Sequence, residues 1–453
     1  GRWSRSESDP LDKLLEESRP SWQRHLLRFA RPVGRIYLAA ILVWLSAAPL
    51  VASHYHLVSP VAMLLGPVLM VLTAMALLSG FHLLLAAVCY WPLVPFWAWL
   101  TRWSLAGSDF LVRLGERLPG GHVYVADVPP WWLWIFYTGL LAYLTLEPLR
   151  QRWRWMLAGG LAWLCLGLAS GWARPTPEEL RCTFLAVGHG GCAVIETPDG
   201  RVLLYDAGAL GGPDVTRRQI APFLWNRGIH RIDEVFLSHA DLDHFNGLVP
   251  LLDRFAIGQV SCTPTFRDKA EVGVHVTLAT LQEHQIPVRI IRAGDRLSTS
   301  AFTIEVLHPP AAGPEGNENT RSLVLLLRHA GHALLLTGDL EGLGLQRVVD
   351  LRPAHVDVLQ APHHGSRAGP REELAGRTEL VAQTQPSFII SCQGSPTWPP
   401  RGPDPYARQG VQFLGTWPHG AITIHSSSRG LVVETFQTGQ RWVVPSARIR
   451  ESD

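Results

Sequence analysis

The sequence predicts a multi-pass α-helical membrane region followed by a layered α/β domain. Three observations predict it. No Asp, Glu, Lys or Arg occurs in the 66 residues from Ile36 to Thr101. From Leu180 onward the texture changes to short β-type runs alternating with helical stretches. The whole chain of 453 residues averages 47% hydrophobic and 17% charged, a composition that two unlike halves explain better than one uniform class. It is too apolar for a disordered chain, its 6 Cys are too few for a disulfide scaffold, and a net charge of +2 names no nucleic-acid or acidic partner.

Along the first half, 66 residues of helix would measure about 100 Å, three crossings of a hydrocarbon core about 30 Å thick. Breaks fall at Pro49 and the His54 to Pro60 stretch, at Ser79-Gly80, and at Pro92 and Pro95, giving spans near 36–53, 59–78 and 80–100. Two further uncharged stretches, Trp131 to Leu146 and Trp155 to Trp172, read as a fourth and fifth span, and the Trp residues at their ends suit a membrane interface. Residues 102–127 read as an amphipathic helix followed by a Gly-Pro loop. His54 and His56 belong to an interface and His82 to a span end, while Cys89 and Cys165 read as small apolar residues. Arg24, Arg28, Arg31 and Arg35 before the first span, and Arg150, Arg152 and Arg154 after the fourth, put both segments on the cytoplasmic side. Everything after Trp172 is then expected on the outer face. The charged first 30 residues show no signal peptide, and a chain opening on Gly1 reads as a fragment.

The expected organisation is a basic amphipathic segment at 1–35, a membrane region of about five helices at 36–173, a linker at 174–180, the α/β domain at 181–440 and a tail at 441–453. Within the α/β domain, Arg181 to Val187, Cys192 to Glu196 and Arg201 to Tyr205 predict strands, with a turn at Thr197-Pro198-Asp199-Gly200. Further strands are expected near 233–237, 258–262, 286–291, 302–307, 322–328, 332–337 and 356–360, and helices near 215–227, 244–254 and 271–284.

The chemistry concentrates at strand ends. The run Glu234 to Leu237 leads into Ser238-His239-Ala240-Asp241-Leu242-Asp243-His244, four potential metal ligands in six positions just before a helix. Such a cluster has little packing rationale, and loops leaving one sheet edge can converge. Leu335-Leu336-Thr337-Gly338-Asp339 ends another strand with a carboxylate, Pro362-His363-His364-Gly365-Ser366 follows a third, and Asp206-Ala207-Gly208 closes a fourth. His308, His329 and His332 read as turn and hairpin positions. Arg217, Arg218, Arg227, Arg231 and Arg254 offer either a modest basic patch or solvated helix faces. Cys182, Cys192, Cys262 and Cys392 lack any C-x-x-C spacing, and their pairing is not legible.

With these residues in view, the segment 181–437 resembles the metallo-β-lactamase fold, an αββα sandwich whose signature is H-x-H-x-D-H, then a distant Asp and a late His. More closely, the H-x-D-x-D-H variant, the Gly-Asp after a strand, the H-H-G-S element and the preceding apolar spans resemble the ComEC/Rec2 family of DNA-uptake channels. Leu45 to Pro60 is similar to that family's late membrane segments, and Asn317-Glu318-Asn319 with Ser322 to Leu325 to its asparagine-rich approach to a strand.

The resemblance implies His239 and Asp241 on one metal, Asp243 and His244 on a second, Asp339 bridging, and His363 or His364 completing a site. We assign His363 to the metal and Asp243, His364 and Ser366 to catalysis. Asp206, His189, Asn317 and Asn319 are expected behind the ligands or against substrate. Two divalent cations are implied, Mn²⁺ or Zn²⁺, with Mn²⁺ favoured because Asp241 replaces a histidine with a harder oxygen donor. The implied function is DNA uptake at the bacterial cell membrane, the outer domain hydrolysing phosphodiesters of the non-transported strand. DNA and the lipid bilayer are the implied partners, together with a homo-oligomer and competence-machinery proteins. The alternatives are a membrane-tethered hydrolase of the same fold acting on a non-DNA substrate, and a non-catalytic channel part with a degenerate site. Two departures are visible. The family's acidic first loop reads Ala186-Val187-Gly188-His189-Gly190-Gly191, and the region expected to hold a late G-H-P reads Thr397 to Pro403.

Overall fold

The computed structural model describes residues 20–170, 177–395 and 404–445. Its contacts divide the chain into two units, Gly1–Gly171 and Trp172–Asp453. The linker expected at 174–180 and the tail at 441–453 lie partly outside the described residues, and the Thr397 to Pro403 region lies wholly outside them.

The first unit is helical: Ser21–Tyr55, Val61–Cys89, Val94–Arg117, Pro130–Thr145, Glu147–Gln151 and Trp153–Ser170. The expected break at Ser79-Gly80 does not occur. The Ser79 hydroxyl donates to the Ala76 carbonyl at 3.2 Å within the helix, and a single Gly costs only about 1 kcal/mol there. The helix ends instead at Tyr90, where Pro92 restricts the residue before it and opens the short turn Trp91–Leu93. Residues 102–117 are consequently the second half of the Val94–Arg117 helix and not a separate element.

Among the described residues two helices are long and apolar enough to cross a membrane, Ser21–Tyr55 and Val61–Cys89, and 11% of the apolar window of each is buried. The count of five spans goes beyond these two. Tyr137 donates to the Ser46 carbonyl at 2.9 Å, and the indoles of Trp132 and Trp163 each donate to the other's carbonyl. The pair Leu57–Val58 and Val123–Tyr124 forms a small antiparallel ladder between the interhelical segments. His82 stacks on Trp97 with ring centroids 4.5 Å apart, well inside its helix and not at a span end.

The second unit holds two packed sheets. The nine-stranded sheet has the order Val288–Ile290, Val260–Cys262, Glu234–Phe236, Val202–Tyr205, Ala193–Glu196, Leu180–Phe184, Ile422–Ser427, Gly430–Thr435, Arg441–Pro445. The seven-stranded sheet has the order Arg296–Ser298, Phe302–His308, Val324–His329, His332–Leu336, Val358–Gln360, Phe388–Ser391, Gln412–Gly415. The edge strand Arg441–Pro445 carries the nine-stranded sheet past residue 440.

Residue alternation explains the layering. Leu325, Leu327, Leu334, Leu336, Val358 and Ile390 point into the core between the sheets, where they meet Phe184, Ile195, Leu203, Ile424 and Val433. Their neighbours Val324, Leu326, Leu335, Leu359 and Ile389 point the other way, onto Leu345, Val348, Leu380 and Val381 of the helices Gly342–Asp350 and Arg371–Thr384. Strands buried on both faces read as continuous apolar runs, the pattern seen at Leu334–Leu336. Burying this surface is the main stabilising term, about 25 cal/mol per Å². Ile424→Ala, at a fully buried position, is expected to lower the unfolding free energy of the α/β unit by about 2–5 kcal/mol, read as a reduced denaturant midpoint.

Candidate metal centre

Two parallel strand pairs, one in each sheet, deliver their C-terminal ends to the site, so Asp206, His239, Asp339 and His364 arrive together. Val202–Tyr205 runs parallel to Glu234–Phe236, and His332–Leu336 parallel to Val358–Gln360. Asp206 takes a left-handed φ of 63° and is fully buried. Its Oδ1 accepts from Ser238 N at 2.7 Å and its Oδ2 accepts from His244 Nδ1 at 2.8 Å. That second bond fixes the His244 tautomer and aims Nε2 into the cluster. Gly208 permits the arrangement, since a Cβ there would sit 2.5 Å from the Asp243 carbonyl carbon. His239 pairs through Nδ1 with Ser238 Oγ at 2.9 Å, leaving its Nε2 inward too.

Asp339 lies at the centre, 5% exposed, with Oδ1 3.3 Å from His244 Nε2 and Oδ2 3.2 Å from His364 Nε2. Asp243 Oδ2 is 3.6 Å from His364 Nε2 and 3.9 Å from His244 Nε2. Asp241, about half exposed, places Oδ2 3.5 Å from His239 Nε2. Among the described residues three groups of three are compact enough to share an ion: His239, His244 and Asp339; Asp243, His244 and His364; and Glu341, His363 and Glu373.

The buried Nε2 atoms of His239, His244 and His364 have no hydrogen-bond partner among the described residues. Burying three imidazole nitrogens without partners is costly, and divalent cations in the two groups that contain these histidines would satisfy all of them. The residues therefore fit a metal.

Electrostatics reinforce the fit. Burial raises the Asp243 carboxyl, but the His364 and His244 rings outweigh it and hold it down to about 2. Asp339 likewise stays well below the usual range despite complete burial, held by His244 and His364. Burial opposes charge on His364, yet Asp339 and Asp243 push it up to about 9, and Asp339 and Asp206 raise His244 well above its ordinary value.

The structure places the two adjacent histidines differently from one another. His363 and His364 both have φ of 52°, a tight turn that sends successive side chains to different sides. His364 enters the cluster, whereas His363 donates through Nδ1 to Glu341 Oε2 at 2.9 Å and stays 3.9 Å from Asp339. Ser366, expected in catalysis, instead uses Oγ to accept from Ala368 N at 3.2 Å, a local turn bond.

Asn317 donates to Glu341 Oε1 at 2.6 Å and so stands behind His363. Asn319 is buried with its Oδ1 unpartnered among the described residues. His189 lies with its ring 5.4 Å from that of His364, and its Nδ1 accepts from Gly394 N at 3.4 Å. Sequence reasoning missed Glu341, whose only signal was its place two residues after Asp339. It also missed Arg377, a fully buried guanidinium that donates to the carbonyls of Ser366 and Ala368 and pairs with Glu373.

The arginines named as a basic patch are engaged. Arg217 and Arg218 share Asp214, Arg227 meets Glu196 at 3.1 Å, Arg231 meets Asp233 at 3.3 Å and Arg254 meets Asp253 at 3.7 Å. The six cysteines are unpaired, and Cys182, Cys192, Cys262 and Cys392 are buried. His308 is buried as well, donating through Nδ1 to the Ser322 carbonyl, and burial pushes its pKa down to about 4.

Residues 186–382 match the metallo-beta-lactamase superfamily, and residues 13–150 match the competence protein family. The second unit is thus a metallo-β-lactamase-fold domain, a fold that binds divalent metal. The chain is 25% identical over 386 residues to ComE operon protein 3 of Bacillus subtilis (strain 168), covering 80% of this chain and 47% of that protein. It is 28% identical over 306 residues to competence protein ComA of Neisseria gonorrhoeae, covering 65% of this chain and 37% of that one. A diphosphatase from the PhnP family has a structure similar over 55% of this chain and 98% of its own, at 12% identity and a TM-score of 0.35. The chain thus carries a match to the competence protein family followed by a metallo-β-lactamase-fold domain, is similar to several competence proteins, and spans about half the length of the first such relative.

Two outcomes follow from this geometry. Asp206→Asn removes the acceptor that sets the His244 tautomer and is expected to weaken metal affinity about 10- to 100-fold, measured by titration calorimetry. Because His364 titrates near 9 without metal, it is protonated at pH 7 and must release that proton on coordination. Metal affinity should accordingly rise with pH towards 9, and calorimetry in buffers of different ionisation enthalpy should show net proton release at pH 7.

Proposed function

We propose that this chain is the membrane and hydrolase part of a DNA-uptake channel, and that its α/β domain cleaves phosphodiesters of the non-transported strand with two divalent cations, Mn²⁺ favoured. The observation that carries this reading is the convergence of three unpartnered imidazole nitrogens on Asp339 and Asp243 in a chain that also bears a competence region. His239, with Asp241 beside its free nitrogen, would hold one ion and Asp243 with His364 the other, with His244 and Asp339 between them. Bound cations supply Lewis-acid polarisation of a phosphoryl oxygen and an activated water.

The protein's own groups set the geometry. Asp206 holds His244, and Ser238 holds His239. Arg377 pins the loop carrying His364, and Glu341 holds the half-exposed His363 beside the cluster. Ser366 is left out of the chemistry.

The helical unit would supply about five crossings, starting inside at Arg28, Arg31 and Arg35. With the third crossing moved to Val94–Arg117 the proposed number of crossings is unchanged, so the hydrolase domain is still assigned to the outer face of the cell membrane. DNA, lipid and other competence-machinery proteins are its proposed partners.

A second reading, a membrane-tethered hydrolase of a non-DNA phosphodiester, is favoured by the ion pairing of Arg217, Arg218, Arg227 and Arg231, which weakens that patch as a track for a nucleic-acid backbone. Incubating the purified chain with single- and double-stranded DNA and Mn²⁺ separates the readings. Cleavage abolished by chelator and by Asp243→Asn supports the nuclease. Metal-loaded protein that leaves DNA intact but hydrolyses a small aryl phosphodiester supports the second reading and overturns the first.

A further inference from the structure

The helix Ser21–Tyr55 is longer than a membrane requires. Its 35 residues measure about 52 Å, whereas about 20 residues cross a hydrocarbon core of about 30 Å. The uncharged stretch begins at Ile36, so the 20 residues to Tyr55 suffice for the crossing and Ser21 to Arg35 remain outside it.

This excess segment is two-faced. Trp22, Leu26, Phe29 and Val33 recur at steps of 4, 3 and 4, the spacing of one helical stripe. Trp22 is 63% exposed, Leu26 58% and Phe29 73%, so no described element of this chain covers that stripe. Arg28, Arg31 and Arg35 continue a second stripe whose spacing begins at position 24. At about 100° per residue the second stripe lies roughly 200° around from the first, and all three arginines are exposed. A helix standing upright from the bilayer would hold its apolar stripe in water. Pro32 and Gly34 sit at the junction, where Pro removes one helical hydrogen bond and no side chain crowds Gly34.

We propose that residues 21–31 bend at Pro32–Gly34 and lie on an anionic lipid surface, with Trp22, Leu26 and Phe29 in the acyl boundary and the arginines among phosphate headgroups. The occupant of this face is lipid because the stripe is continuous with a span-length apolar helix, and because its opposite face carries the charge that anionic headgroups attract. The segment thereby fixes where the first span meets the leaflet. The inference rests on the membrane reading of this helix.

Hydrogen exchange of the full chain in nanodiscs tests both separately. In discs containing about one-third phosphatidylglycerol, amides of 21–31 should exchange at least about tenfold more slowly than in pure phosphatidylcholine, while the Ile36–Tyr55 amides are equally protected in both. Arg28→Glu/Arg31→Glu/Arg35→Glu should abolish the lipid dependence, and Phe29→Ala should reduce it. Equal exchange of 21–31 in both lipids, with Ile36–Tyr55 protected, overturns the surface helix and leaves the span standing. Failure of the chain to enter discs, or an unprotected Ile36–Tyr55, overturns the membrane reading itself.

Discussion

The Asp339 carboxylate, buried between the His244 and His364 imidazoles, is the interaction on which the α/β unit depends. An isolated buried carboxylate would cost several kcal/mol, so it persists only where positive partners surround it. Those partners come from opposite sheets. His244 follows a strand of the nine-stranded sheet, while Asp339 and His364 follow strands of the seven-stranded sheet. One charge cluster therefore sits where the two sheets open, and the hydrophobic core behind it fixes the distance between them.

Such a cluster demands backbone conformations that ordinary loops avoid. Asp206, His363 and His364 all occupy the left-handed region, a cost of about 1–3 kcal/mol each for non-glycine residues. Gly338, at φ of 54°, spares the chain a fourth such cost and brings Asp339 against Ser238, where a Cβ would lie 2.9 Å from the serine Cβ. The strain is held by bonds behind the ligands. Ser238 N and His244 bind Asp206, Arg377 grips the Ser366 and Ala368 carbonyls, and Tyr406 donates to the Pro362 carbonyl at 3.1 Å. These supports lie far from the ligands in sequence.

That separation explains what was legible beforehand. The six positions from His239 to His244, the strand-end Asp339 and the paired histidines stand out because imidazole and carboxylate at the ends of apolar strands have no packing role. Which histidine turns inward was not legible, because the alternation rule of a strand stops at Pro362 and the left-handed turn decides. Glu341 and Arg377 were not legible as parts of the site, since the His363 and Ser366 groups they hold are 22 and 11 residues away and the i,i+4 pair of Arg377 with Glu373 reads as an ordinary helix pair. In the helical unit, hydropathy located the apolar mass but misplaced the break between the second and third helices and the end of the third. Ser79-Gly80 offers a weak break that a long helix overrides, whereas Pro92 offers one that it does not.

Near-neutral net charge takes on a specific meaning at such a site. Without metal, Asp241, Asp243 and Asp339 present negative charge at the opening, only partly offset by protonated His244 and His364, and a phosphodiester gains little by approaching. Two divalent ions among three carboxylates and neutral imidazoles leave a small net positive charge confined to the cluster. On the proposed reading, attraction of substrate is then a property of the loaded site and not of the surface around it. The pairing of Arg217, Arg218, Arg227 and Arg231 costs such a domain little on either reading of the substrate, because one tethered beside its substrate has no need of long-range capture.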